Sequence, residues 1–250
     1  MTDQPTIKSW SFSRLMDWET CKFYAWLKHA KRIPDPKPSP AADRGTAIHT
    51  IAEDYVNGVG SDIVPVPLQK FDIEFRAMRN LKKQSPNQVI QELEWGFDTQ
   101  WNPVPYKGAF GRVKSDLIKF NPDFTQGVVV DYKTGKKFGN EVKHGRQLEV
   151  YALSSFIMYP NLQVLDMEDW YLDLNEMLAI RNITREKALK VYMRVFDAKF
   201  REMTSATKFP PNPNVNSCKY CPYGDTGHCD KRVVDNQATQ NFFKRMQARK

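Results

Sequence analysis

The stretch 111–133 constrains this chain more than any other part of it. It reads as a β-hairpin that sets two carboxylates opposite each other with a lysine beside them. The first arm is Gly111-Arg-Val-Lys-Ser-Asp-Leu-Ile-Lys-Phe120, the turn holds Asn121-Pro122-Asp123, and the second arm is Gly127-Val-Val-Val-Asp-Tyr-Lys133. Pairing Phe120 with Gly127 in antiparallel register places Asp116 across from Asp131. Directly opposed side chains have Cβ atoms roughly 4.5–5.5 Å apart, near enough for both acids to reach one hard cation. Lys133, two residues beyond Asp131, points to the same face. Two acids and a lysine on one face can hold Mg²⁺, a phosphate and an attacking water together. The competing reading is a cross-strand salt bridge on a solvated face.

The Asp/Glu-x-Lys tripeptide alone is uninformative, because it occurs four times: Asp35-Pro-Lys37, Asp131-Tyr-Lys133, Glu141-Val-Lys143 and Asp197-Ala-Lys199. Context separates them. Asp35 lies among prolines, Glu141 in a polar connection, and Asp197 on an amphipathic helix where its lysine points elsewhere. Only Asp131 follows a buried-type strand, Val128-Val-Val130, and has a second acid opposite. Gln147 and Tyr151, four apart on the helix after the hairpin, share a face and can hydrogen-bond phosphate oxygens or bases. Packing at a helix–sheet edge would explain them equally. His49, at the edge of a helical apolar stripe, is read either as a structural histidine or as a ligand, with Glu53 one turn on.

Periodicity predicts helices over 14–33 (N-cap Ser13), 43–57, 68–84, 147–159 and 184–203. Strands are expected over 89–97, in the hairpin, and within 164–174. Pro34, Pro36, Pro38 and Pro40 form a stiff linker. The order implies an α/β fold with a mixed central sheet flanked by helices, a helical N-terminal part and a C-terminal cysteine cluster. A single domain over 1–250 is expected. Its core runs from about 42 to 205, an N-terminal helix covers 10–33, a C-terminal segment covers 209–230, and 235–250 is a basic tail.

The chain is 41% hydrophobic and 26% charged, with a net charge of +8, which suits a soluble protein with a polyanionic partner such as nucleic acid. No apolar run approaches a membrane span and the N-terminus is not a signal peptide, so a cytoplasmic location without membrane contact is expected. The four cysteines are Cys21, Cys218, Cys221 and Cys229. A cytoplasmic protein would not pair them as disulfides. The last three are local, and a metal they share needs a fourth ligand. Cys21 is the remaining thiol, and His228 or water is the alternative.

Taken together, His49, Asp116, Asp131-Tyr-Lys133 and Gln147-x-x-x-Tyr151 resemble the RecB-type branch of the PD-(D/E)XK nuclease superfamily. Ser9-Trp-Ser-Phe-Ser13 ahead of a cysteine-containing helix and Arg44-Gly-x-x-x-His49 resemble it too. The likeness covers roughly 10–230. It implies a restriction-endonuclease-like core that holds Mg²⁺ or Mn²⁺ through His49, Asp116, Asp131 and the main-chain carbonyl of Tyr132. Lys133 would face the attacking water, and Gln147 and Tyr151 the substrate. One helical cysteine plus three near the C-terminus resembles the iron–sulfur subset, which includes AddB-type nuclease domains and CRISPR-associated exonucleases. That likeness implies a [4Fe–4S] cluster on Cys21, Cys218, Cys221 and Cys229, with zinc as the alternative. The implied activity is a DNA exonuclease acting on single strands or ends in repair or recombination, with a helicase or recombination protein as partner. A non-catalytic DNA-binding scaffold is the competing reading.

Overall fold

The structure is a computed structural model that describes residues 4–35, 39–135 and 137–233. Two units emerge, one of Met1–Pro38 with Arg201–Lys250 and one of Ser39–Phe200. The expected basic tail 235–250 lies outside the described residues, as do Pro36 and Pro38 of the proline stretch.

In the first unit, helix α1 spans Phe12–Thr20 and is capped by Ser11, whose side chain accepts from the Arg14 amide. The helix expected over 14–33 with Ser13 as cap thus starts two residues earlier, at Phe12 behind Ser11, and it is interrupted. Cys21 adopts an extended conformation (φ −162°, ψ 116°) that breaks the run, and helix resumes over Lys22–Ala25. It then widens to a π-turn at Trp26–Ala30, where the Lys31 amide reaches Trp26 O at 2.9 Å. Periodicity alone misses the break because the apolar stripe continues across it. Phe209 packs against Trp18 edge-on and stacks on Trp26, at centroid distances of 6.0 and 5.7 Å. The stretch expected to be irregular after 209 ends in a short helix, Val215–Lys219, closed by a capping box between Asn214 and Ser217.

The second unit is built on a six-stranded mixed sheet in the order β2-β1-β3-β4-β5-β6. The strands are β1 Val89–Phe97, β2 Pro103–Val104, β3 Gly111–Phe120, β4 Gln126–Lys133, β5 Val164–Tyr171 and β6 Glu176–Thr184. β4 and β5 are parallel and the other neighbours antiparallel. The parallel step needs a crossover, and helix Glu141–Met158 supplies it.

Helix α2, Pro40–Val56, starts three residues earlier than periodicity suggests. Ser39 caps it and Pro40 occupies its first turn, where a missing N–H costs nothing. Helix α3, Asp72–Gln84, follows a 3₁₀ segment, Val66–Phe71. The crossover helix, α4, begins six residues before Gln147, so Glu141 is helical and not in a connection. Helix α5, Met193–Ser205, is preceded by a π-turn at Ala188–Tyr192. β6 was not expected. Its alternation is broken by charged and polar side chains because it is an edge strand with one exposed side.

α2 and α3 cover one face of the sheet. Ile48, Ala52, Tyr55, Phe75 and Met78 meet Leu117, Val130, Tyr132 and Trp170 in one buried cluster. Phe75 is fully buried and touches three aromatic rings: Tyr55, Tyr132 and Trp170, at centroid distances of 6.5, 5.4 and 5.6 Å. Since Val130 and Tyr132 face this layer, Asp131 and Lys133 face the opposite one, where α4 packs on β3, β4 and β5. Phe75→Ala should lower unfolding free energy by about 3–5 kcal/mol in denaturant titrations, the usual cost of a large cavity in a core.

Candidate active site

The hairpin register is the expected one: Phe120 pairs with Gly127, and the ladder continues to Leu117–Val130. There it stops. At the next step, where Asp116 would face Asp131, Asp116 Oδ2 accepts the Tyr132 amide at 2.6 Å. A side chain thus replaces a backbone rung and the strands part. On the other side of β3 the pairing with β1 is also interrupted. Gln91 pairs with Leu117 and Leu93 with Ser115, and Glu92 between them has φ +46°. A left-handed residue inside a strand is strained for anything but glycine, and such strain is commonly stored where function needs an aimed side chain. Here it accompanies the approach of Glu92 to Asp116.

His49, on α2, enters this opening. Its Nδ1 lies 3.1 Å from Asp116 Oδ1 and its Nε2 lies 3.0 Å from Tyr132 O. His49, Glu92 and Asp116 each offer a ligand atom within 4.8 Å of the others, the one such group among the described residues. An imidazole with two acceptors satisfies both only when both nitrogens carry protons. Burial lowers its pKa, but the hydrogen bond to Asp116 and the charges of Asp116 and Asp131 outweigh that and raise it. Asp116 is buried beside Asp131, and both effects push its carboxyl pKa up.

On the α4 side, Lys133 Nζ contacts Asp131 Oδ2 and donates to Gln147 Oε1 at 2.9 Å. Gln147 Nε2 donates to the Tyr151 hydroxyl at 2.6 Å and lies 3.4 Å from Asp131 Oδ1. Burial lowers the Lys133 pKa, yet the charges of Asp131 and Asp169 leave it raised, so Lys133 is an ammonium and not a base. Tyr151 is buried, which lifts its hydroxyl pKa well above the usual value and keeps it a neutral hydrogen-bonding group.

All the expected residues His49, Asp116, Asp131, Tyr132, Lys133, Gln147 and Tyr151 line one open cleft of about 470 Å³. Glu53, Glu92 and Lys114 line it as well. Lys114 pairs with Glu92 at 2.6 Å. The cleft therefore holds four carboxylates, Glu53, Glu92, Asp116 and Asp131, against two lysines. Acids held this close repel unless a cation joins them. The donor set of imidazole, carboxylates and a main-chain carbonyl suits a hard divalent ion such as Mg²⁺ or Mn²⁺. Periodicity predicts β1 but does not bring Glu92 to this cleft. The register of β1 against β3 is not local information.

In the first unit, Cys21, Cys218, Cys221 and Cys229 are all free thiols and line a single cavity. The Asn212 amide lies 3.3 Å from Cys21 Sγ. His228 is not among the lining residues, whereas Cys21 is. Four thiols are the donor chemistry of an iron–sulfur cluster or a zinc ion, although among the described residues the four sulfurs do not form a group within 4.8 Å of one another.

The profile of the PD-(D/E)XK nuclease superfamily matches residues 9–226, and this chain belongs to that superfamily. Among solved structures it is similar to SSO0001, at 13% identity, with 88% of this chain and 86% of that one covered and a TM-score of 0.41. It is also similar to a protein from Eubacterium rectale provisionally named an exonuclease, at 13% identity, 93% and 92% coverage and a TM-score of 0.48. No curated protein sequence matches it. Among the described residues, no helix is long and apolar enough to cross a membrane.

One further acid lies behind the cleft. Asp169 pairs with Asp131 across the parallel ladder and is fully buried. Burial and the charge of Asp131 push its carboxyl up to about 7. An unfolded aspartate titrates near ~3.9. Between these values the folded state binds the proton more tightly, so this group's stabilising contribution is full at low pH and is lost as pH rises toward 7. Asp169→Asn should remove that loss. In chelator, urea unfolding should show the variant gaining on the wild type from pH 5 to pH 8 by up to about 3 kcal/mol, since about two of the pKa units fall in that window at roughly 1.4 kcal/mol each.

Proposed function

We propose that this chain is a divalent-metal-dependent DNA nuclease of the RecB type, an exonuclease acting on single strands or DNA ends, with a structural [4Fe–4S] cluster. The observation that carries the catalytic reading is the convergence of an imidazole and carboxylates on a cleft whose other wall presents Lys133 and Gln147. A solvated salt bridge would not need Asp116 and Asp131 buried, nor a strained Glu92 beside them.

His49, Asp116, Asp131 and the Tyr132 carbonyl would hold Mg²⁺ or Mn²⁺, with Glu92 as a further carboxylate within reach. The bound ion supplies Lewis acidity toward the phosphate and acidifies water near neutral pH. The protein's own residues do the rest. The Lys133 ammonium donates to the attacking water or to a non-bridging phosphate oxygen and offsets charge that builds as water oxygen bonds to phosphorus and the P–O bond to the leaving nucleotide breaks. Gln147, held by Tyr151, fixes Lys133 and offers an amide to the substrate backbone. The net charge of +8 favours a polyanionic substrate.

The cluster reading is supported by Cys21 sharing a cavity with the three C-terminal cysteines, far away in sequence. A cluster there would tie residue 21 to residues 218–229 and close a long loop, which limits the entropy of the unfolded chain. DNA repair or recombination, alongside a helicase or recombination partner, is the setting proposed for such an enzyme.

Asp131→Ala and Lys133→Ala should each abolish Mg²⁺- or Mn²⁺-dependent release of nucleotides from 5′- and 3′-labelled single- and double-stranded DNA, with unchanged circular dichroism. A folded wild type that cuts none of these substrates with either metal defeats the enzyme reading and favours a DNA-binding scaffold. Anaerobically purified protein should be brown with an absorbance shoulder near ~400 nm. Colourless protein with one equivalent of zinc would reject the cluster. Cys21→Ala should destabilise as much as Cys218→Ala, and an unaffected Cys21→Ala protein removes Cys21 from the ligand set.

A further inference from the structure

Asp169 has no role in the chemistry above, yet its situation is costly. It is 0% exposed, and among the described residues neither carboxylate oxygen has a hydrogen-bond partner. Buried polar groups are ordinarily paired, and a buried carboxylate without donors is the most expensive exception. The cation facing it is Lys133, whose Nζ lies 3.7 Å from Asp169 Oδ1, just beyond hydrogen-bonding distance. The same ammonium already engages Asp131 and Gln147. Parallel pairing fixes this arrangement, because Asp131 and Asp169 are register partners and Lys133 lies two residues beyond Asp131.

Lys133 and a cation therefore compete for Asp131. We propose that Asp169 is a positioning residue that receives the Lys133 ammonium when a divalent cation claims Asp131. This inference rests on the nuclease reading. A small rotation about the terminal bonds of Lys133 closes the 3.7 Å gap to hydrogen-bonding length. Gln147 Oε1 would remain the second acceptor, which would leave the third N–H for the cleft. Without Asp169, loading the site would strip Lys133 of its carboxylate in a buried place, so the ammonium would hold on to Asp131 and oppose the ion. Asp169 thus lets one acid serve the metal while the neighbouring lysine stays charged and fixed.

The test is a double-mutant cycle read by calorimetric Mn²⁺ binding to the full-length protein at pH 8, with steady-state nuclease kinetics beside it. Asp169→Asn should weaken Mn²⁺ binding about tenfold and lower kcat about tenfold at saturating Mn²⁺, while its midpoint of unfolding in chelator is unchanged or higher. In a Lys133→Met background the same substitution should change Mn²⁺ affinity less than about twofold. Equal weakening in both backgrounds means a plain field effect on the cation and overturns the proposal. So does wild-type affinity in Asp169→Asn, or a variant that is unfolded in chelator, which would make Asp169 a structural residue. Asp169→Ser is the second variant and must show the same background dependence. A wild type that binds no Mn²⁺ defeats the metal-site reading itself and this proposal with it. A wild type that binds and cleaves while Asp169→Asn behaves identically defeats this proposal alone.

Discussion

The hydrogen bond from the Tyr132 amide to Asp116 is the contact on which the site depends. It marks where the β3–β4 ladder stops, three residues before β4 ends, and His49 reaches both Asp116 and the Tyr132 carbonyl there. A regular rung there would bring the two backbones together and fill the place the imidazole occupies. The bond also ties the position of one acid to the backbone that carries the other acid and the lysine. With Tyr132 packed against Phe75 and Trp170, the aromatic core on one face holds the backbone that presents Asp131 and Lys133 on the other. Core packing and site geometry therefore meet at Tyr132.

The charge distribution follows from this layout. Carboxylates crowd the open end of the strands, and the lysines are spent on them, Lys114 on Glu92 and Lys133 on Asp131. Such a cleft does not attract DNA by itself. On the proposed nuclease reading, a cation would have to enter first to make the cleft acceptable to a phosphate. The order of events implied is ion first, polyanion second, with the positive surplus carried elsewhere on the chain.

Much of this was legible in the sequence, for physical reasons that can be traced. The hairpin register could be read because a short turn couples the two arms, and one assumed pair, Phe120–Gly127, fixes all the rest. The shared face of Gln147 and Tyr151 could be read because helical spacing is local. Glu92 was not, because nothing nearby sets the offset of β1 against β3, and its left-handed backbone has no signature in a glutamate. Asp169 escaped for the same reason: a parallel pairing is decided by the crossover helix between the strands. The break at Cys21 was hidden by an apolar stripe that runs through it, and β6 by the weak alternation of an edge strand.

The way the sheet ends bears on how the protein lives in a crowded solution. An open sheet edge is a row of unpaired backbone groups that a second chain can extend. One edge here, β2, is two residues long. The other, β6, carries Arg181 tied to Asp166 and Glu168, a left-handed Asn182, and a register shift opposite Leu165 and Met167. Charge and twist blunt the β6 edge, and the left-handed Glu92 breaks the part of β1 that β2 leaves uncovered. A sheet broken in this way at both margins offers a neighbouring chain no long regular strand to extend.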